Sequence, residues 1–161
     1  IHNKSIPCYG NQRTIDRIKK AFSYIFNTIQ IGGGVPEVSL HEIKSSFKIK
    51  NIEIIPLPVK HGKLNILGFK INNLAYMTDC SHIPESTMDK IQDINTLIID
   101  ALRYKPHSTH MNINQALDVI ANINVNKAYL THLSHDIEHQ KTNRELPENV
   151  YLAYDGLKIT I

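Results

Sequence analysis

The stretch "KAYLTHLSHD", residues 127–136, joins a short apolar run to two histidines three residues apart, His132 and His135. A run of this length and composition reads as a buried strand. Polar groups at the mouth of such a strand are costly to keep unless they have partners. The arrangement recurs along the chain. "IIPLPV" (54–59) is followed by Lys60 and His61, "LAYMT" (74–78) by Asp79, and "NTLIID" (95–100) by "ALRYKPHSTH", which carries His107 and His110. In α/β sheets the C-terminal strand edge is where ligands bind. Four strand ends bearing imidazoles and one carboxylate make a metal-site pattern. Neutral imidazole and carboxylate oxygen are donors that zinc, manganese and iron share.

Working outward, "IPCY" (6–9) reads as a strand. Ile15, Ile18, Phe22, Ile25 and Phe26 at helical spacing predict a helix over Asn11–Phe26. "IGGGVPEV" (31–38) is a loop, and no Lys-Ser/Thr follows to make it a phosphate cradle. Strands follow at "SFKI", "IEIIPLPV", "LNILGFKI" and "LAYMT", with a hairpin turn at Asn72-Asn73. "IPESTMDKI" opens a helix with Pro84 in its first turn, where the missing N–H costs nothing. "NTLIID" predicts a strand buried on both faces. "NINQALDVIANI" is an amphipathic helix with Ile113, Ala116, Leu117 and Ile120 on one side. "VYLAYDGLKITI" (150–161) is read as a hairpin turning at Asp155-Gly156. Hairpins first, then strands alternating with helices, predict an α/β fold with a mixed sheet, sheet against sheet with helices outside.

A chain of 161 residues suits one domain. Its hydrophobic content of 42% and charged content of 20% support a packed core. The net charge of +3 is too mild to argue for nucleic acid, and "RTIDRIKK" (13–20) reads as a solvated helix face. Cys8 and Cys80 form no CxxC, so two reduced thiols and a cytoplasmic location are expected. No apolar segment approaches the ~20 residues of a membrane span, and no signal peptide opens the chain. Ile1 is not an initiator methionine, and "IHNKSIPCYG" reads as the middle of a domain.

Each site residue also has a bland reading. A single histidine at a strand end is more often a surface group than a ligand. Asp79 could cap the helix near Pro84. His135 suits a ligand or a group that orients one equally well. His2, His41, His82 and His139 read as surface histidines, and Glu85, Asp136 and Glu138 as solvated acids. Asp100, ending its strand, is placed to support the site from behind. Spacing alone leaves the metal and bland readings evenly matched.

The motifs "PLPVKHG", "AYMTDCSHIPE", "LIIDALRYKPHSTH", "YLTHLSHD" and "LAYDG", with "YGNQRT", "FSYIF" and "GGGVP" before them, resemble the metallo-β-lactamase-fold hydrolases. The similarity is to the phosphonate-operon cyclic phosphodiesterase branch (PhnP-like), in the expected order from about Pro7 to the C-terminus. The resemblance implies an αββα sandwich and a two-metal centre, zinc or manganese, that activates water against a small phosphodiester. By motif it implies His61 and His132 as ligands of different ions, Asp79 as a bridge between them, and His110 beside the phosphate as acid or charge stabiliser. A carboxylate has two oxygens and can span cations about 3.5–4 Å apart.

The family's leading motif, His-x-His-x-Asp-His, is not in the sequence. Residues 1–161 are therefore expected to be the C-terminal portion of one such domain, lacking its first strands and first metal motif. Such a piece is expected to expose edge backbone and apolar surface and to aggregate or remain partly ordered in solution. Two alternatives stand beside the phosphodiesterase: a tRNA 3′-processing nuclease of the same fold, and a non-catalytic remnant or binding protein. Nucleic acid is the less favoured partner, no membrane contact is expected, and oligomeric state is not readable.

Overall fold

A computed structural model describes residues 5–27, 35–123 and 125–160. The chain divides into two compact units, Ile1–Ser46 and Phe47–Ile161.

In the first unit, β1 (Ile6–Gly10) and β2 (Val38–Glu42) pair in parallel, Ile6 opposite Val38 and Gly10 opposite Glu42. Between them lie α1 (Gln12–Ala21) and the single turn α2 (Ser23–Phe26). Asn11 caps α1, its side chain accepting from the Thr14 N–H at 2.9 Å. The continuous helix expected over Asn11–Phe26 is therefore two pieces. Phe22, at φ −116° and ψ 41°, leaves helical geometry and breaks it. Strand β2 was not anticipated, because a five-residue strand whose partner is distant carries little local signal. Of the glycine-rich loop, residues 31–34 lie outside the described residues, as does His2.

The second unit is built on a seven-stranded sheet, β3 to β9 in sequence order. Its strands are β3 (Phe47–Ile49), β4 (Ile52–His61), β5 (Leu64–Ile71), β6 (Leu74–Met77), β7 (Thr96–Asp100), β8 (Lys127–Thr131) and β9 (Val150–Leu152). β3 to β6 are antiparallel neighbours, and β6 to β9 run parallel. The expected mixed sheet is thus present. The β5–β6 turn falls at Asn72, whose φ of 51° is the left-handed conformation Asn tolerates.

Two cross-strand rows make the core: Ala75–Leu97–Ala128–Val150 and Met77–Ile99–Leu130–Leu152. All eight are at most 2% exposed. They share one cluster with Ile113, Ala116, Ile120 and Ile123 of α4 (Ile113–Ile123). Burying a side chain of this size contributes about 1.5–3 kcal/mol. The predicted stripe on α4 is correct, with Leu117 packed at its margin and Ile123 extending it.

The helix expected after Ile83 is one turn, α3 (Glu85–Met88), continued by a 3-10 turn over Asp89–Ile91. Pro84 is its N-cap residue, so Asp79 does not cap it. Helix α5 (His139–Glu145) was not foreseen, since "HQKTNRE" has no apolar stripe. It starts because the Glu138 carboxylate accepts from the Gln140 and Lys141 N–H groups, at 3.1 and 2.7 Å. The terminal hairpin is a misreading. The turn at Asp155-Gly156 exists, with Gly156 at φ 88°, but no second strand follows it among the described residues. β9 instead pairs parallel to β8, because its apolar Val150 and Leu152 complete the two core rows.

Candidate metal centre

The sheet directions bring the chemistry to one edge. Residues Pro56, Phe69, Tyr76, Ile98 and Tyr129 form one cross-strand row. Beyond it, Asp100 lies two positions on, Asp79 and His132 three, and His61 five. β4 runs the same way as β6, β7 and β8, so all four groups emerge together.

Asp79 and His132 both sit in the left-handed conformation, at φ 54° and 61°. For side chains with a Cβ this costs roughly 1–2 kcal/mol and is uncommon. Such strain persists where surrounding structure enforces it, often at ligand sites. Here it turns each strand sharply at its last residue, and His132 Nε2 meets Asp79 Oδ1 at 3.2 Å.

His61 and His110 are held from behind. The His61 Nδ1 lies 3.0 Å from the Thr109 carbonyl oxygen. A carbonyl only accepts, so Nδ1 carries the hydrogen and Nε2 the lone pair. His110 Nδ1 lies 2.9 Å from Asp100 Oδ2. That carboxylate is fully buried and also accepts from the Cys80 N–H at 2.9 Å. Its other oxygen, Oδ1, is buried with no hydrogen-bond partner among the described residues. Burial raises the Asp100 carboxyl pKa, and the hydrogen bond from His110 and its charge pull it back down. Burial, reinforced by the Asp100 charge, pushes the Cys80 thiol up to about 12. Desolvation first, then the Arg103 guanidinium, lowers the His107 imidazole.

The loop carrying His110 is pinned on both sides. The Met111 N–H donates to the Cys80 carbonyl, Leu102 N–H to Met111, and Ser134 N–H to Leu102. Asn112 and Gln115 bond each other's backbone N–H reciprocally at 2.9 Å, a capping box that starts α4. Gly62, at φ 57°, packs where a Cβ would lie 2.9 Å from Thr109 Cγ2. Its N–H donates to Ser81 Oγ.

The result is an imidazole cluster. The His110 ring centre is 4.7 Å from those of His61 and His132 and 5.1 Å from that of His107. Two ligand-type groups share His110: His61 with Asp79 and His110, and Asp100 with His110 and His132, the donor atoms of each within 4.8 Å of one another. These donors suit a divalent ion, and the outward hydrogen bonds leave imidazole lone pairs for it. The sequence-selected residues His61, Asp79, His110 and His132 thus come together. Asp100 and His107 join them. His135 does not: its side chain is 95% exposed and faces Asp136 at 3.5 Å. His41, His82 and His139 lie at the surface, as read, and Glu138 is a helix cap rather than a free acid. The Asn112–Gln115 pair was the legible signal left unread. No helix among the described residues is long and apolar enough to cross a membrane.

Comparison with known proteins agrees with this geometry. A crystal structure of a diphosphatase from the PhnP family is 35% identical, with a TM-score of 0.89, over 97% of this chain and 58% of that one. Human tRNase Z, short form, superposes with a TM-score of 0.69 at 17% identity, over 99% of this chain and 69% of that one, a likeness of fold. Among curated proteins, an octanoyltransferase of Porphyromonas gingivalis is 33% identical over 163 residues, 99% of this chain and 33% of that protein. The chain therefore spans about a third of that curated relative and 58% of the diphosphatase structure. The family model of the beta-lactamase superfamily domain matches residues 1–133. With the strand order, the strand-end histidines and this match in agreement, the chain belongs to the β-lactamase superfamily and has the metallo-β-lactamase α/β fold.

Proposed function

We propose that this chain supplies metal ligands and a proton donor to a divalent-metal-dependent hydrolase of small phosphodiesters. The observation that carries the reading is the convergence of His61, Asp79, His110 and His132 on one sheet edge, with His110 held by a buried carboxylate. The likeness to a diphosphatase of the PhnP family supports phosphate chemistry. In this reading His61 and His132 each hold one ion and Asp79 lies between them, the ions being zinc or manganese. Bound divalent ions would supply an acidified water and neutralise charge on the phosphate. The chain's own contribution is positional. Asp100 accepts from His110 Nδ1, so the free Nε2 is the atom that carries a proton toward a leaving oxygen. A general acid so placed is worth about 10²–10⁴-fold. Thr109 fixes the His61 ring in the same way.

The test is hydrolysis of a cyclic or aryl phosphodiester by the natural full-length protein loaded with zinc or manganese. His110→Ala is expected to lower kcat by about 10²–10⁴-fold with little change in KM. Unchanged turnover in His110→Ala or Asp79→Asn would remove the assigned roles. Binding of tRNA that weakens steeply with salt would favour the nuclease alternative.

A further inference from the structure

We infer that His110 is itself a metal ligand in a one-ion state of the protein, completing a site with His61 and Asp79. The proposal rests on the metal-binding part of the reading above and changes the role of one residue within it.

The resemblance groups His61, Asp79 and His132 as ligands, but the geometry groups differently. Among the described residues, His61 and His132 do not fall in the same donor cage. His110 falls in both cages, and the one it forms with His61 and Asp79 lies within 4.8 Å throughout. Ligand bonds of about 2.0–2.2 Å set donor separations of roughly 3–3.5 Å, so side-chain shifts of about 1 Å close this cage on an ion. His132 then serves from outside, its Nε2 against Asp79 Oδ1 at 3.2 Å.

The two imidazoles are prepared alike. Each has Nδ1 against an oxygen, Thr109 O for His61 and Asp100 Oδ2 for His110. A carboxylate or carbonyl behind a histidine fixes its tautomer and strengthens its outer nitrogen as a ligand. The second cage would need Asp100, which is fully buried and already bonded to His110 and Cys80. The first has His61 and His110 part-buried and Asp79 exposed, so an ion can reach it. Two histidines and one carboxylate leave positions open for water. In this state the lone pair of His110 is engaged, and His110 cannot carry a proton. The one-ion form is therefore a resting form, and release of His110 accompanies activation.

The test is titration of the 161-residue chain with cobalt(II) or zinc, read by visible absorption and by ¹⁵N NMR of the imidazoles. One ion per chain is expected, with the His110 Nε2 resonance moving to the metal-bound range. His61→Ala and His110→Ala should each weaken binding by more than about 100-fold, since losing outer-sphere support alone costs roughly 10–100-fold. Asp100→Asn should fall in that lower range, and His132→Ala should cost less than about 10-fold. The NMR reading needs no variant, so a variant that misfolds leaves the inference open to refutation. An unmoved His110 resonance, or an ion lost in His132→Ala but kept in His110→Ala, would overturn the inference while leaving the hydrolase reading intact. No ion bound by either chain or full-length protein would overturn both.

Discussion

Gly62→Ala tests whether the histidine loop is held by close packing at one point. Gly62 has φ 57°, and a Cβ there would lie 2.9 Å from Thr109 Cγ2 and 3.6 Å from the Ser108 carbonyl. The left-handed backbone costs an alanine roughly 1–2 kcal/mol. The contact adds an overpacking cost of typically about 1–3 kcal/mol, because Thr109 is β-branched and has few rotamers to escape into. The expected total is about 2–4 kcal/mol, a large part of a stability of about 5–15 kcal/mol. Thr109 also accepts from His61 and contacts His107 through Oγ1, so its displacement should disturb metal binding as well. Urea denaturation of the single variants and the pair separates the two costs. Thr109→Ser removes the clashing methyl and keeps the hydroxyl. The double variant should recover about 1 kcal/mol or more relative to additivity, leaving the backbone part unpaid. Additivity within about 0.5 kcal/mol, or a Gly62→Ala variant as stable as the parent, would refute the packing argument.

Cys80, fully buried and with its thiol pushed up to about 12, should resist alkylation at pH 8.5 in the native protein. Mass spectrometry should find Cys8 modified first and both cysteines only after denaturation; fast native labelling of Cys80 would contradict its burial. Leu130→Ala, at 0% exposure in the middle of a core row, should cost about 2–5 kcal/mol by chemical denaturation, and a loss below 1 kcal/mol would mean the row is not packed as described. The Lys70 ammonium, which bonds the Asp93 carboxylate, holds that acid below its ordinary range. Its stabilising contribution is therefore present above the ordinary aspartate pKa and fades as pH falls through the lowered one. Asp93→Asn should flatten the acid limb of stability slightly, and an NMR titration showing an ordinary Asp93 would cancel the effect.

Local pattern was enough for most of the second unit. The runs at β4 to β8 alternate or fill with apolar side chains because each strand must bury one face or both, and that requirement is written residue by residue. The α4 stripe is legible for the same reason. Elements held by few or distant contacts were not. β2 depends on β1 across the whole of α1, α5 depends on one capping carboxylate, and β9 takes its direction from β8. The tail after Gly156 carries a strand-like pattern with no strand beside it.

The candidate site divides the same way. That His61, Asp79, His110 and His132 are chemically out of place at the ends of apolar runs is a property of the sequence, since burying unpaired polar groups is costly. Their order along the chain also carries the family resemblance. Which of them meet is a tertiary fact. It follows from four strands pointing the same way, from left-handed turns at Asp79 and His132, and from a loop clamped between Cys80 and Ser134. Exposed His135 and clustered His107 look alike in the sequence, each three residues from a selected histidine. Only the path of the backbone after the strand, which no local pattern encodes, separates a group in the site from one in solvent.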